Sequence, residues 1–268
     1  MDIEIRDTTM ASILLLEPCN FDCPHCLRSD EPMERGYRLT FDQLERFLFD
    51  CRTLETVELV HFSGGEPTLW REGDRDLVDV LLAVADAGFT PWFTTNGSAW
   101  IDPEACRTFL RRYLAGTERD LIVTVSVDTF HDNFDRESGR ADCLDGLAAA
   151  IAGLPETDVT RLEIRIAATT STDPDSHLPE EMVEHYEGLG MAFRFGPLVA
   201  MGRAREEMAD LCPEPDAVDR ATAHWLVLIG EDYYLPLVGG TDAERDWPRA
   251  GSLGRLPENV VRAHRSGA

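Results

Sequence analysis

The sequence contains no lysine, and its 25 basic residues, all of them arginine, are outnumbered by 50 aspartate and glutamate residues, which gives a formal net charge of −25. Binding to nucleic-acid phosphates or to an anionic membrane requires a basic surface, so this charge argues against both kinds of partner. The apolar run around 13–16, like every other apolar run in the sequence, is far shorter than the roughly 20 residues that span a bilayer. The charged N-terminus lacks the apolar core of a signal peptide. We therefore expect an acidic, cytoplasmic protein with no nucleic-acid and no membrane partner.

Seven cysteines are present, an odd number, and three of them crowd together in the segment CNFDCPHC, as Cys19, Cys23 and Cys26. In a reducing compartment such a cluster is typical of a metal site rather than of disulfides. Three thiolates on one loop can hold three irons of a cubane cluster and leave the fourth iron open to a small molecule. A zinc site closed by His25 or by a distant residue is the alternative, although His25 would have to fold back sharply beside Cys26.

Apolar runs alternate with helical spacings over the first 200 residues. The predicted strands are 12–17, 57–62, 90–95, 121–127, 162–169 and 191–199, and the predicted helices are 40–51, 76–87, 102–114, 141–154 and 178–189. Strand–helix alternation implies parallel strands joined by right-handed crossovers, hence an α/β fold. Six strands are too few for a closed eight-stranded barrel, so this pattern leaves a partial barrel and a doubly wound sheet open.

The alternation stops near Gly202. The segment 203–220 has a charged, helical pattern, 225–237 is predicted to form a hairpin, and the residues after 239 show no periodicity. We therefore expect a core domain over 1–200, an extension over 201–239 and a poorly ordered tail over 240–268.

Polar segments follow successive predicted strands, at the end where parallel α/β proteins gather their sites. They are Ser63-Gly64-Gly65-Glu66-Pro67 after the second strand, Thr94-Thr95-Asn96-Gly97 after the third and Ser126-Val127-Asp128 after the fourth. Paired glycines let a backbone approach a ligand closely, and Glu66 offers an acceptor for an ammonium group.

The spacing of Cys19, Cys23 and Cys26 resembles the CxxxCxxC signature of the radical S-adenosylmethionine (SAM) superfamily, and Gly64–Pro67 resembles its GGEP motif. The two later segments resemble the family's TNG turn and S(L/V)D segment. The resemblance implies a partial (β/α)6 TIM-like barrel of parallel strands with a short C-terminal extension. It also implies one [4Fe–4S] cluster on the three cysteines and reductive cleavage of SAM to a 5′-deoxyadenosyl radical that abstracts hydrogen from a substrate.

The resemblance also implies which residues contact SAM. These are Gly64, Gly65, Glu66, Pro67, Thr95, Asn96, Ser126, Asp128 and Arg136. His131, beside the predicted mouth of the barrel, is a candidate for contacting the substrate or handling a proton. An electron donor such as a flavodoxin or ferredoxin is the implied redox partner.

Gly202-Arg203-Ala204 resembles the GRA passage of SPASM and twitch members, in which cysteines for auxiliary clusters follow and substrates are often peptides. Here Cys212 alone follows the core, and one thiol cannot hold a cluster. The extension therefore resembles a degenerate SPASM or twitch region. A ribosomally made peptide and a small metabolite both stay open as substrates. A non-catalytic sensor or partner protein is the alternative of another class, and it has no need of the retained GGEP motif.

Overall fold

In a computed structural model of the chain, the described residues are 10–26, 35–54, 56–199, 202–212, 225–229, 232–234 and 249–252. The chain divides into two compact units. The first comprises Met1–Pro18, Asp30–Pro91 and Glu214–Ala268, and the second comprises Cys19–Ser29 and Trp92–Pro213.

Strands and helices alternate as the sequence predicts, with bounds that differ by a few residues. The strands are β1 Met10–Leu16, β2 Leu59–Gly64, β3 Arg71–Glu72, β4 Arg75–Asp76, β5 Thr90–Thr95, β6 Leu121–Ser126, β7 Leu162–Thr170, β8 Ala192–Pro197, β9 Trp225–Ile229, β10 Asp232–Tyr234 and β11 Arg249–Ser252. The helices are α1 Phe41–Thr53, α2 Leu77–Asp86, α3 Pro103–Gly116, α4 Asp142–Ala152, α5 Glu156–Val159, α6 Glu180–Gly188 and α7 Arg203–Glu207.

The first unit is built on strands in the order β11-β10-β9-β1-β2. β2 and β9 both run parallel to β1, one on each side of it, whereas β10 is antiparallel to β9. A capping box starts α1, because the Thr40 side chain accepts from the Gln43 N–H and the Gln43 side chain accepts from the Thr40 N–H. This box fixes the helix start, and α1 then buries Leu44 and Phe47 completely.

The C-terminal region differs from its predicted organisation. β9 was expected in an appended extension, but it pairs with β1, so it belongs to the sheet of the first unit. Within the predicted tail, Arg249–Ser252 form β11 against β10. The rest of the predicted tail lies outside the described residues. The pairing of β9 with β1 joins residues that are remote in sequence, which local patterns do not reveal.

The second unit contains the parallel strands β5-β6-β7-β8 in that order. The residues of β6 from Leu121 to Val125 are all buried, as expected for a strand covered on both faces. The turn after β5 needs Gly97, which has φ 75° and lies so close to Cys143 that a Cβ would stand 2.9 Å from the Cβ of Cys143. Cys51, Cys106 and Cys143 are buried, as their helical positions predict.

Among the described residues, no helix has both the length and the apolar character that crossing a membrane requires.

Candidate functional site

The cysteine loop, residues 19–26, follows β1 along the chain and carries three half-buried thiols, Cys19, Cys23 and Cys26. A backbone hydrogen bond of 3.3 Å from the Cys26 N–H to the Cys23 carbonyl closes a turn between two of them. The Phe21 N–H points at the Cys19 sulfur, 3.4 Å away. The loop therefore presents its thiols in a local fold that does not depend on disulfides.

Asn96, one of the residues predicted to lie at the site, braces the cysteine loop within the second unit. Its Nδ2 donates to Asn20 Oδ1 at 2.9 Å and lies 3.8 Å from the Cys19 sulfur. Asn20 in turn donates to the Ser98 hydroxyl at 2.8 Å. Thr95 is buried, and its hydroxyl accepts from the Gly97 N–H at 3.0 Å, which stabilises the same turn. The end of β5 and the cysteine loop thus form one hydrogen-bonded structure.

The chemistry of the thiols fits an iron cluster. Burial, followed by the neighbouring Cys26 and Cys19 thiols, raises the pKa of Cys23 to about 12. Three thiolates at this place therefore require a compensating cation. Three cysteine thiolates on one loop are the donor set that an iron–sulfur cluster takes in proteins.

His25, Asp128 and His131 form a second cluster, whose nitrogen and oxygen atoms lie within 4.8 Å of one another. His131 Nδ1 is 2.8 Å from Asp128 Oδ1, and His25 Nε2 is 3.8 Å from Asp128 Oδ2. The two imidazoles meet edge to face, with centroids 4.5 Å apart, and His25 also contacts the Phe130 ring. Burial and the nearby His131 lower the pKa of His25 to about 4, so this imidazole is neutral near pH 7. His25 thus contacts Asp128 and the two rings. A zinc site closed by His25 would instead require this imidazole to fold back toward the thiols.

Asp128 is 1% exposed, and protein donors surround its carboxylate. Oδ1 accepts from the Phe130 and His131 N–H groups as well as from the His131 ring, and Oδ2 accepts from the Thr169 N–H at 3.0 Å. Burial alone would raise the pKa of Asp128, but the hydrogen bond and charge of His131, together with the other donors, lower it to about 2. Three donors therefore saturate Oδ1, whereas Oδ2 has one hydrogen-bond donor and keeps a lone-pair direction for a further contact.

Asn133, which sequence reasoning missed, links the ends of β5 and β6. Its Nδ2 donates to the carbonyl oxygens of Asn96 and Ser126, at 2.7 and 2.6 Å. These two acceptors fix the orientation of the amide, and its Oδ1 is buried without a hydrogen-bond partner. Buried polar atoms are rarely left unpaired in proteins. Asn133 Oδ1 is therefore an acceptor available to a bound polar molecule, beside two residues of the predicted SAM site.

Arg136 is one of the residues predicted to contact SAM. Its side chain is exposed and donates to the Thr129 carbonyl at 3.2 Å. In this position it stabilises the loop after β6.

In the first unit, Gly64 and Gly65 allow the end of β2 to approach the end of β1. Gly65 N donates to the Leu16 carbonyl at 2.6 Å, and a Cβ on Gly65 would stand 2.0 Å from the Pro18 carbonyl oxygen. Gly64 has φ 115°, and a Cβ there would stand 2.5 Å from the Leu16 oxygen. The sequence suggested that these glycines make room for a ligand. The backbone of β1 and of the residues after it already requires both.

Glu66 is 1% exposed and holds the short 3-10 helix that starts with the buried Pro67. Its Oε1 accepts from the Thr68 N–H at 3.0 Å and from the Thr68 hydroxyl at 2.7 Å, and its own N–H donates to the Pro18 carbonyl. The carboxylate therefore has a fixed orientation before any ligand binds.

Substituting Gly65 with alanine is expected to destabilise the protein by about 2–3 kcal/mol, because the added methyl group meets backbone oxygens that cannot move aside. Gly146→Ala should cost a similar amount, since its Cβ would stand 2.0 Å from the Trp100 carbonyl oxygen. Gly188, which has open space around it, is the matched control and should tolerate alanine. Urea unfolding of the three variants measures these costs, and wild-type stability in Gly65→Ala would contradict the close approach.

Residues 13–168 match the family model of the Radical SAM superfamily. A GTP 3′,8-cyclase of Xanthomonas campestris pv. campestris is 29% identical over 204 residues, which cover 74% of this chain and 56% of the relative. The chain thus spans a little over half the length of this curated relative.

Solved structures show the same fold. A structure of anSMEcpe with bound AdoMet covers 96% of this chain and 82% of its own, with a TM-score of 0.56 and 13% identity, and another structure of that protein also contains the Cp18Cys peptide. BtrN in complex with AdoMet and 2-DOIA covers 99% and 86%, with a TM-score of 0.51 and 11% identity. The α/β fold class predicted from the sequence, a partial TIM-like barrel, is confirmed.

Proposed function

Because the chain belongs to the radical SAM superfamily, whose members use a [4Fe–4S] cluster and SAM, we propose that Cys19, Cys23 and Cys26 hold this cluster. The observation that carries the proposal is the loop itself, with three half-buried thiols braced by Asn96. When bound, the cluster and SAM supply one-electron cleavage of SAM to a 5′-deoxyadenosyl radical for hydrogen abstraction from a substrate. An external electron donor, such as a flavodoxin or ferredoxin, belongs to the same proposal.

We propose that Gly64, Gly65, Glu66 and Pro67 bind the amino group of SAM. The buried Glu66 carboxylate supports this assignment, because Thr68 fixes its orientation and a negative charge suits an ammonium group.

For the second unit we propose that Thr95, Asn96 and Ser126 contribute to the SAM site through the ends of their strands. The buried, unpaired Asn133 Oδ1 beside Asn96 and Ser126 supports this, since a bound polar molecule would satisfy it. Arg136 joins this set only if its side chain leaves the Thr129 carbonyl.

Asp128 has a different part in the proposal. Its Oδ1, which three donors engage, orients His131, and its Oδ2, which has one donor, is the atom left for the proposed contact with SAM. With Nδ1 held at the carboxylate, His131 has Nε2 left to exchange a proton with a substrate.

Two substrate classes follow from separate observations. The GRA passage resembles that of family members that act on peptides, which favours a ribosomally made peptide. The sequence relative named GTP 3′,8-cyclase favours a small molecule, for which a nucleotide is the first candidate to try.

The test measures 5′-deoxyadenosine formation by anaerobically reconstituted protein with dithionite and SAM. We expect basal cleavage without substrate and faster cleavage with a host extract that contains the substrate. Protease treatment of the extract removes the stimulation if the substrate is a peptide, whereas dialysis removes it if the substrate is a small molecule. Absence of any 5′-deoxyadenosine from protein that carries its cluster would contradict the proposed function.

Glu66→Gln is expected to lower SAM affinity about 10- to 100-fold, the effect of losing one hydrogen bond to a charged group. The amide keeps an acceptor for Thr68 and leaves all three thiols, so iron content and absorbance should match the wild type. Equilibrium binding of SAM to reconstituted protein measures the change. Glu58→Gln, at an exposed carboxylate just before β2, is the control and should bind SAM normally. Equal affinity in both variants would leave Gly64–Pro67 as an ordinary turn.

A further inference from the structure

The segment 202–212, which follows β8 and contains α7, reaches back to the cysteine loop within the second unit. The Arg203 N–H donates to the Cys26 carbonyl at 3.0 Å. The Arg203 guanidinium pairs with Asp22, which lies between Cys19 and Cys23 in the chain, and its Nε donates to Glu207 at 3.1 Å. One residue thus contacts the loop at two points, through its backbone and through its side chain.

The same segment is anchored to the rest of the second unit. Ala204 and Met208 are buried together with Leu198, and Phe130, Leu211 and Cys212 pack against them. The Leu211 carbonyl accepts from the Thr172 N–H at 3.1 Å. Because Phe130 also contacts the His25 ring, this apolar cluster supports the loop from a second direction.

We propose that the segment 202–212 is a clasp and that Arg203 is the positioning residue through which it holds the cysteine loop in its cluster-binding conformation. The inference rests on the proposed cluster site but assigns a new role to the chain after the barrel. The sequence pattern suggests only a degenerate remnant of an auxiliary-cluster domain. In the proposed role, this segment instead stabilises the loop that carries Cys19, Cys23 and Cys26.

The two contacts are of unequal strength. The Asp22 side chain is 90% exposed and that of Arg203 is 30% exposed, so water screens the ion pair and its contribution is small. The backbone hydrogen bond to the Cys26 carbonyl does not depend on the guanidinium. Removing the side chain should therefore loosen the loop slightly, and removing the N–H as well should loosen it further.

Two variants separate these contacts. Arg203→Gln removes the guanidinium and keeps the N–H. Arg203→Pro removes both the guanidinium and the N–H. Proline is compatible with this position because it is the first residue of a helix. A proline also disfavours the α conformation in the residue before it, but Gly202, with φ 54° and ψ −136°, does not have that conformation. Arg194→Gln is the matched control, because Arg194 is exposed and bonds to the adjacent Phe193 carbonyl.

The first readout is hydrogen exchange of residues 19–26 in the cluster-free protein. We expect exchange about two- to five-fold faster in Arg203→Gln, the range of an exposed ion pair, and roughly tenfold faster still in Arg203→Pro, from one lost hydrogen bond. Arg194→Gln should exchange at the wild-type rate. The second readout is the rate at which a chelator removes iron from reconstituted protein, and it should follow the same order.

The outcomes keep the two proposals apart. Wild-type exchange and iron loss in Arg203→Pro, with its melting temperature unchanged, would overturn the clasp and leave the cluster assignment intact. Wild-type protein that binds no iron would overturn the cluster assignment, while hydrogen exchange of the loop would still test the clasp. Faster exchange confined to residues 19–26 supports the clasp, and faster exchange throughout the chain in both variants overturns it, because the effect would then be general destabilisation.

Discussion

Replacement of Cys19, Cys23 or Cys26 with alanine is expected to abolish both the iron–sulfur absorbance and the formation of 5′-deoxyadenosine. A cubane with one open iron has three protein ligands, so the loss of any one thiolate leaves two irons without a protein ligand. Anaerobic reconstitution of each variant, followed by iron analysis and product quantification, measures the effect. Wild-type product formation in any single variant would contradict the assignment.

Iron stoichiometry adds a second measurement to the same prediction. The wild type should bind about four irons per chain, one cubane, and the triple alanine variant essentially none. Cys212→Ala is the matched control, because this half-buried thiol points at the Met208 carbonyl and lies in the apolar cluster of the clasp. It should retain all four irons. Close to eight irons in the wild type, or four in the triple variant, would mean that a second cluster forms.

The strands and helices of the core were predictable because their signals are local. Continuous apolar runs gave the parallel strands, and the Thr40–Gln43 capping box marked the start of α1 within one residue. The pairing of β9 with β1 was not predictable in this way, since Trp225 and Met10 are partners across more than 200 residues. The sequence pattern placed Trp225 in a hairpin but could not indicate which edge the hairpin would join.

The candidate site was predicted where one short segment carries the chemistry. Three thiols in eight residues predict a cluster loop without any tertiary information, and Asn96 was selected because it follows a strand. Asn133 and Arg203 could not be selected in this way, because their importance lies in carbonyl oxygens that they meet only in the folded chain. Because every residue has a backbone carbonyl, the sequence does not indicate which carbonyls accept these hydrogen bonds.

The glycines show that the residues of a predicted ligand-binding motif can also have a steric cause. Gly64 and Gly65 were selected as part of a ligand-binding motif, and the structure gives each a steric reason within the first unit, the approach of β2 to the Leu16 and Pro18 carbonyls. A loss of SAM binding on substitution of Gly65 would therefore combine strain with any lost ligand contact. Glu66→Gln is the cleaner test, because it changes charge without changing volume.

Asp128→Asn is expected to destabilise the cluster-free protein by about 2–4 kcal/mol near pH 7, through an unpaired buried donor and the loss of charge-assisted hydrogen bonds. An asparagine that keeps its oxygen toward the Phe130 and His131 N–H groups turns its NH2 toward the Thr169 N–H, so two donors face each other. Asp175→Asn, at an exposed carboxylate, is the control and should change stability little. Urea unfolding of the two variants and the wild type measures the difference.

The pH dependence of that difference identifies its origin. The pKa of Asp128 is lowered from 3.8 to about 2 in the folded protein, so the folded state binds this proton less readily than the unfolded state does. The stability that the carboxylate contributes is therefore complete above pH 4 or so, and it is lost as the pH falls through about 2. The gap between wild type and Asp128→Asn should accordingly be smaller at about pH 3 than near pH 7. A gap of constant size would show that the charge of Asp128 does not carry the effect, and no gap at all would show that its four hydrogen bonds do not stabilise the fold.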